Sequence, residues 1–137
     1  HEDHIGGNQK LIEKYKCKLI APKYDQNRIR NCDHYVLDGD EIDMIGKKGK
    51  VFHTPGHTIG HICYYIESLK ILFSGDTLFR LGCGRIFEGT FEQMAAAKMV
   101  AVSSGTVENF TILESQDLNK IADTAKKMSS TYKEPGK

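Results

Sequence analysis

No apolar run in this 137-residue chain approaches the ~20 residues a helix needs to span a bilayer, so no membrane-spanning helix is expected. An excess of charge of one sign is also missing. Nineteen Lys and Arg stand against 18 Asp and Glu, a formal net charge of +1, which gives no general attraction for nucleic acid or an anionic membrane. The four cysteines, Cys17, Cys32, Cys63 and Cys83, form no C-x-x-C pair and match neither a disulfide-dense scaffold nor a cysteine zinc finger. They read as reduced thiols of an intracellular, cytoplasmic protein, with an organellar location as the alternative. No methionine opens the chain; it begins inside a histidine cluster, as the interior of a longer protein does, so the lack of a targeting signal carries no weight. What is present, 39% hydrophobic and 27% charged residues, suits one soluble globular domain, expected to be a monomer.

Local patterns alternate helix and strand. A helix is expected over Gln9–Lys16, with Asn8 as its N-cap and Leu11, Ile12 and Tyr15 at helical spacing. A short strand over Cys17–Ala21 is closed by Pro22, and residues 22–34 read as loop. Tyr35–Leu37 reads as strand, Asp38-Gly39-Asp40 as a turn, and Gly46–Gly49 as a hairpin turn into the strand Lys50–His53. Ile62–Ile66 and Lys70–Ser74 are expected to pair antiparallel. Residues 79–90 form a glycine-bearing loop, after which Thr90 and Gln93 make a capping box for a helix over Phe91–Met99. Val107–Leu113 reads as strand, Gln116–Met128 as an amphipathic helix and Ser129–Lys137 as a frayed tail. The pattern is that of a layered α/β domain covering residues 1–137.

The residues that carry chemistry sit at the ends of these elements. His1-Glu2-Asp3-His4 opens the chain, His53-Thr54-Pro55-Gly56-His57-Thr58-Ile59-Gly60-His61 interrupts two strands, and Ser74-Gly75-Asp76-Thr77 follows a third. Imidazole nitrogen and carboxylate oxygen are the donors that zinc takes at ~2.0–2.2 Å. His1, Asp3 and His4 crowd one tight loop, which offers side chains to two adjacent ions more easily than it wraps one. His57 adds a nitrogen, and Asp76 adds a carboxylate with two oxygens, enough to bridge two cations ~3.5–4 Å apart. Gly56 lets the chain turn tightly beside His57, and Pro55 stiffens the approach. His53 reads as a core residue, and His61 as a hydrogen-bonding partner behind the ligands.

These residues carry a resemblance. His1-Glu2-Asp3-His4 resembles the downstream part of the H-x-H-x-D-H motif of the metallo-β-lactamase superfamily, and Pro55-Gly56-His57-Thr58 and Ser74-Gly75-Asp76-Thr77 are similar to two further ligand motifs. Gly75–Phe79 followed by Gly82-Cys83-Gly84-Arg85-Ile86-Phe87-Glu88-Gly89-Thr90 resembles the glyoxalase II (hydroxyacylglutathione hydrolase) branch, and the likeness runs from His1 to about Met94. It implies an αββα sandwich, present in part, with mixed and antiparallel sheets. It also implies two divalent metal ions, zinc before iron or manganese. One would be held by His1 and His57 and the other by Asp3 and His4, with Asp76 bridging. Asp3 and Asp76 would be catalytic, and Arg85 and Phe87 would flank a glutathione thioester such as S-lactoylglutathione, cleaved by a metal-bridging hydroxide.

Three departures qualify the likeness. The first histidine of H-x-H-x-D-H would lie two residues before His1, no histidine follows His61, and residues 98–137 do not resemble the family's C-terminal helical segment. Each metal thereby lacks one histidine. A persulfide dioxygenase with one histidine–histidine–aspartate iron site, and an inactive fragment, are the alternative expectations.

Overall fold

The computed structural model describes residues 1–44, 46–79, 82–103 and 111–112. The helices are α1 (Glu2–Ile5), α2 (Asn8–Tyr15) and α3 (Phe91–Ser103). The strands are β1 (Ile20–Pro22), β2 (His34–Val36), β3 (Glu41–Asp43), β4 (Lys48–His53), β5 (Ile62–Ile66), β6 (Ile71–Phe73) and β7 (Thr111–Ile112). β1 and β2 pair in parallel as a small sheet, while β3-β4-β5-β6-β7 form a second sheet, antiparallel except at β6–β7. This is the expected α/β architecture with mixed sheets. No helix among the described residues is long and apolar enough to cross a membrane.

The larger sheet buries both faces. On one face Phe52 stands opposite Cys63, Lys50 opposite Tyr65 and Tyr65 opposite Leu72. Cys63, Tyr65 and Leu72 form a core cluster there with Ala101 of α3, and Phe52 and Leu78 pack against it. Met94, Ala97 and Ala101 of α3 are buried, spaced so that they fall on one side of the helix, whereas Phe91 and Met99 are exposed. The other face buries Val51, Ile66 and Ile71.

Several boundaries differ from the sequence expectation for identifiable reasons. Gly7, not Asn8, caps α2, because the Gly7 carbonyl already accepts the Leu11 amide at 3.1 Å, leaving Asn8 inside the first turn. β1 begins at Ile20 rather than Cys17, because Leu19 donates its amide to the Asp33 carboxylate at 2.7 Å instead of to a strand. The hairpin turns at Met44–Lys47, ahead of the expected Gly46–Gly49. Met44 and Lys47 exchange amide–carbonyl bonds of 2.7 and 3.1 Å, and Gly46 takes the left-handed φ of +71°. The capping box forms as expected, with Thr90 N–H donating to Gln93 Oε1 at 2.9 Å and Gln93 N–H to Thr90 Oγ1 at 3.2 Å. The helix expected at Gln116–Met128 and the tail Ser129–Lys137 lie outside the described residues.

Topology places the site. β4 and β6 both run antiparallel to β5, so they run parallel to each other and end at the same edge of the sheet. Two strand spacings separate them by about 10 Å. The loop carrying His57 leaves the end of β4, and the loop carrying Asp76 leaves the end of β6.

Candidate metal centre

The two loops close the gap between their strands. Asp76 Oδ2 lies 3.0 Å from His57 Nε2 and 3.0 Å from His4 Nε2. His57 Nε2 in turn lies 3.2 Å from His1 Nδ1. His1, His57 and Asp76 offer ligand atoms all within 4.8 Å of one another, the one such group among the described residues. Asp3 is further out, its Oδ2 at 3.7 Å from His4 Nε2 and its side chain largely exposed. α1 thus brings His1 and His4 against the Asp76 carboxylate from one side, while His57, 5% exposed, meets it from beneath.

A hydrogen bond fixes the tautomer of His57. Its Nδ1–H donates to the Arg85 carbonyl at 2.6 Å, so in the neutral ring Nε2 carries the lone pair that faces Asp76 Oδ2. Two acceptors at that distance repel unless positive charge stands between them. A proton relieves one such pair; the convergence of His1, His4, His57 and Asp76 suits a divalent cation, and a nitrogen–oxygen donor set suits zinc or iron. A ligating histidine that gives its second ring N–H to a backbone carbonyl is the usual way a metal site holds an imidazole in place.

The segment after Asp76 braces the His57 loop. Phe87 N–H donates to the His57 carbonyl at 3.3 Å, and Gly89 N–H to the Gly56 carbonyl at 3.0 Å. Glu88 Oε2 accepts the Ile59 amide at 2.8 Å, while Glu88 Oε1 accepts Arg28 Nη1 at 2.6 Å. The Arg28 bond, then the Ile59 amide, hold the Glu88 carboxyl below its ordinary pKa. Gly56 and α3 meet so closely that a Cβ on Gly56 would stand 2.9 Å from Met94 Cα. The Phe87 ring, 57% exposed, stands edge-on to His1 at 5.1 Å and to His57 at 5.2 Å. The Arg85 guanidinium lies 5.6 Å from the same ring.

His53 does not join the group. It stacks on Tyr24 at 3.8 Å and bonds the Ile59 carbonyl at 2.8 Å through Nε2. His61 lies directly behind Asp76. Its Nε2 accepts the Asp76 amide at 3.1 Å, and its Nδ1 lies 2.8 Å from Thr54 Oγ1 and 3.0 Å from Thr77 Oγ1. Burial, then the neighbouring His57, push this imidazole down to about 4, so it is neutral at physiological pH. The sequence reading did not single out Thr54, Thr77, Glu88 or Arg28. Thr54 and Thr77 are fully buried; the available signal was a small hydroxyl directly after a strand and directly after a ligand aspartate.

Comparison with known proteins identifies the family. The sequence pattern of the metallo-β-lactamase superfamily matches residues 1–129. A hydroxyacylglutathione hydrolase of Pelagibacter ubique (strain HTCC1062) is 51% identical over 94 residues, which cover 69% of this chain and 39% of that protein. One from Maricaulis maris (strain MCS10) is 51% identical over 94 residues, covering 69% and 37%. The chain therefore spans about two-fifths of the length of these curated relatives. Among solved structures, ETHE1 from Myxococcus xanthus matches with a TM-score of 0.68 at 26% identity, covering 82% of this chain and 49% of that one. With the pattern running over nearly the whole chain, this protein belongs to the metallo-β-lactamase superfamily.

Proposed function

We propose that this chain carries the metal centre of a hydrolase acting on glutathione thioesters, with S-lactoylglutathione as the substrate class. The observation that carries the reading is the convergence of His1, His57 and Asp76, with His4 at 3.0 Å from the shared carboxylate. Its support on the substrate side is likeness to relatives named hydroxyacylglutathione hydrolase. His1, His57 and Asp76 would hold one divalent cation, and Asp3 and His4 with Asp76 would hold a second. Zinc is the first choice, with iron and manganese next. Bound there, such cations supply Lewis acidity and lower the pKa of water from ~15.7 toward ~7.

The chain's own groups set up the rest. Asp76 presents one carboxylate oxygen to His4 and His57 alike, so both histidines are referred to one point. Asp3, at the exposed rim 3.7 Å from His4 Nε2, would orient the attacking water toward the substrate carbonyl. The Phe87 ring stands edge-on to His1 and His57 and would line that side of the substrate site. Arg85, above Phe87, offers its guanidinium to a glutathione carboxylate. A thiolate leaves readily, so no strong general acid is needed.

Hydrolysis of S-lactoylglutathione by the 137-residue chain, compared with Asp76→Ala, tests the proposal. The expected result is turnover in the metal-loaded chain that disappears in the variant. Absence of turnover despite bound metal would favour an inactive fragment. A second reading, a mononuclear-iron persulfide dioxygenase, is favoured by one observation: the tightest group is two histidines and one carboxylate, the donor set of non-haem iron oxygenases. Oxygen uptake with a glutathione persulfide by the iron-loaded chain separates it from thioester cleavage.

A further inference from the structure

One half-buried residue, His61, touches both the His57 and the Asp76 loops and lies outside the group of candidate ligands. His61 precedes β5, and its ring lies behind Asp76. Because Nε2 accepts the Asp76 amide, the single proton of the neutral ring sits on Nδ1 and is donated to a threonine oxygen, Thr54 Oγ1 being nearest at 2.8 Å. Thr77 Oγ1 donates in turn to Thr54 Oγ1 at 3.2 Å. Thr54 also gives its backbone amide to the His61 carbonyl at 2.8 Å. One imidazole therefore joins the start of the His57 loop to the peptide that orients Asp76.

The backbone is shaped around that contact. Gly75 takes a φ of +49°, and a Cβ there would stand 2.6 Å from His61 Nε2. A glycine before Asp76 makes room for the ring; the Thr77 amide closes the turn on the Ser74 carbonyl at 3.1 Å, and within that turn the Gly75–Asp76 peptide needs an acceptor to hold it. The His61 acceptor holds it. Asp76 must keep one oxygen 3.0 Å from both His4 and His57, and a turned peptide would swing that carboxylate away.

We propose that His61 is a positioning residue of the centre: by anchoring the Asp76 amide and tying it to Thr54, it fixes the distance between the His57 imidazole and the Asp76 carboxylate. The effect on metal rests on the cation reading given above; the anchoring of the amide does not. Asparagine at this position keeps a polar group near Nδ1 but is too short to reach the Asp76 amide, whereas glutamine places an oxygen where Nε2 stands. Two readouts on the full chain separate anchoring from simple filling of the core. In Co²⁺ titrations followed by visible absorption, His61→Asn is expected to bind about 10- to 100-fold more weakly with an altered d–d spectrum, and His61→Gln to restore affinity and spectrum. In metal-free protein, hydrogen exchange at the Asp76 amide is expected to be slow in wild type and His61→Gln and fast in His61→Asn. Equal cobalt affinity in wild type and Asn variant, or equal amide protection in both, would overturn the proposal. A wild-type chain that binds no cobalt removes the cation reading but leaves the exchange experiment to decide the role of His61. If the Asn variant does not fold, the Gln variant carries the test alone, and its loss of Asp76 protection would overturn the proposal.

Discussion

The Nδ1–H of His57 donates to the backbone carbonyl of Arg85 across 2.6 Å. That bond determines which nitrogen of His57 faces Asp76, and it makes the Gly82–Thr90 segment a part of the centre. Gly84 is where the two meet. A Cβ on Gly84 would crowd the Asp76 carbonyl and stand 2.8 Å from His57 Nδ1. Gly84→Ala is therefore expected to tilt the His57 ring and weaken Zn²⁺ or Co²⁺ binding about 10- to 100-fold, as loss of an outer hydrogen bond does elsewhere. Calorimetric titration of the metal-free chain measures this; unchanged affinity would remove the role assigned to the Arg85 carbonyl.

Gly75 gives a stability prediction. At φ +49° an alanine pays the left-handed penalty of roughly 1–2 kcal/mol. Its Cβ also collides with His61 Nε2. Gly75→Ala is expected to lower the urea midpoint by more than the conformational term alone accounts for. Gly39, at φ +82° with open space around it, is the control, and Gly39→Ala is expected to show the conformational term only.

Glu88 sets a pH dependence. Its pKa is held down chiefly by Arg28, so the folded state releases that proton at lower pH than the unfolded chain does. Between the two values the unfolded chain binds more protons, and stability rises with pH. The contribution is fully present above the ordinary glutamate range and is lost as pH falls through the lowered value. Glu88→Gln is expected to be less stable than wild type at neutral pH, with the difference shrinking in acid. A difference that stays constant across the acid range would contradict this.

The proposed thioester substrate makes Arg85 testable. If the guanidinium meets a glutathione carboxylate, Arg85→Ala removes a charge-assisted bond of about 1.5–3 kcal/mol, a rise in KM of roughly tenfold or more with little change in kcat. Steady-state kinetics on S-lactoylglutathione measure it. An equal fall in kcat with unchanged KM would place Arg85 in the chemistry instead.

How far the sequence revealed all this depends on where the information lies. The convergence of His1, His57 and Asp76 could be anticipated because donors of metal-ligand type recur at the ends of three elements, beside glycine turns in two of them. β5 and β6 were legible from their apolar runs. β3 was not, because Glu41-Ile42-Asp43 has one apolar residue between two carboxylates and exists through its pairing with β4. The brace formed by Arg85, Phe87 and Gly89 was invisible for a different reason. It uses backbone carbonyls and amides, which every residue has, so residue type carries no sign of it. α2 formed where expected, yet Leu11 and Tyr15 on its apolar stripe are exposed, because spacing predicts a face and not what covers it.

The central claim is that side chains from three separate segments share one cation. Anomalous diffraction at the zinc edge, from crystals of the chain grown with excess zinc, tests it most directly. The account predicts a peak bonded to His1, His57 and Asp76 at ~2.0–2.2 Å, with His4 beside it. A zinc peak bound elsewhere, or His1 lying away from His57 and Asp76, would contradict it.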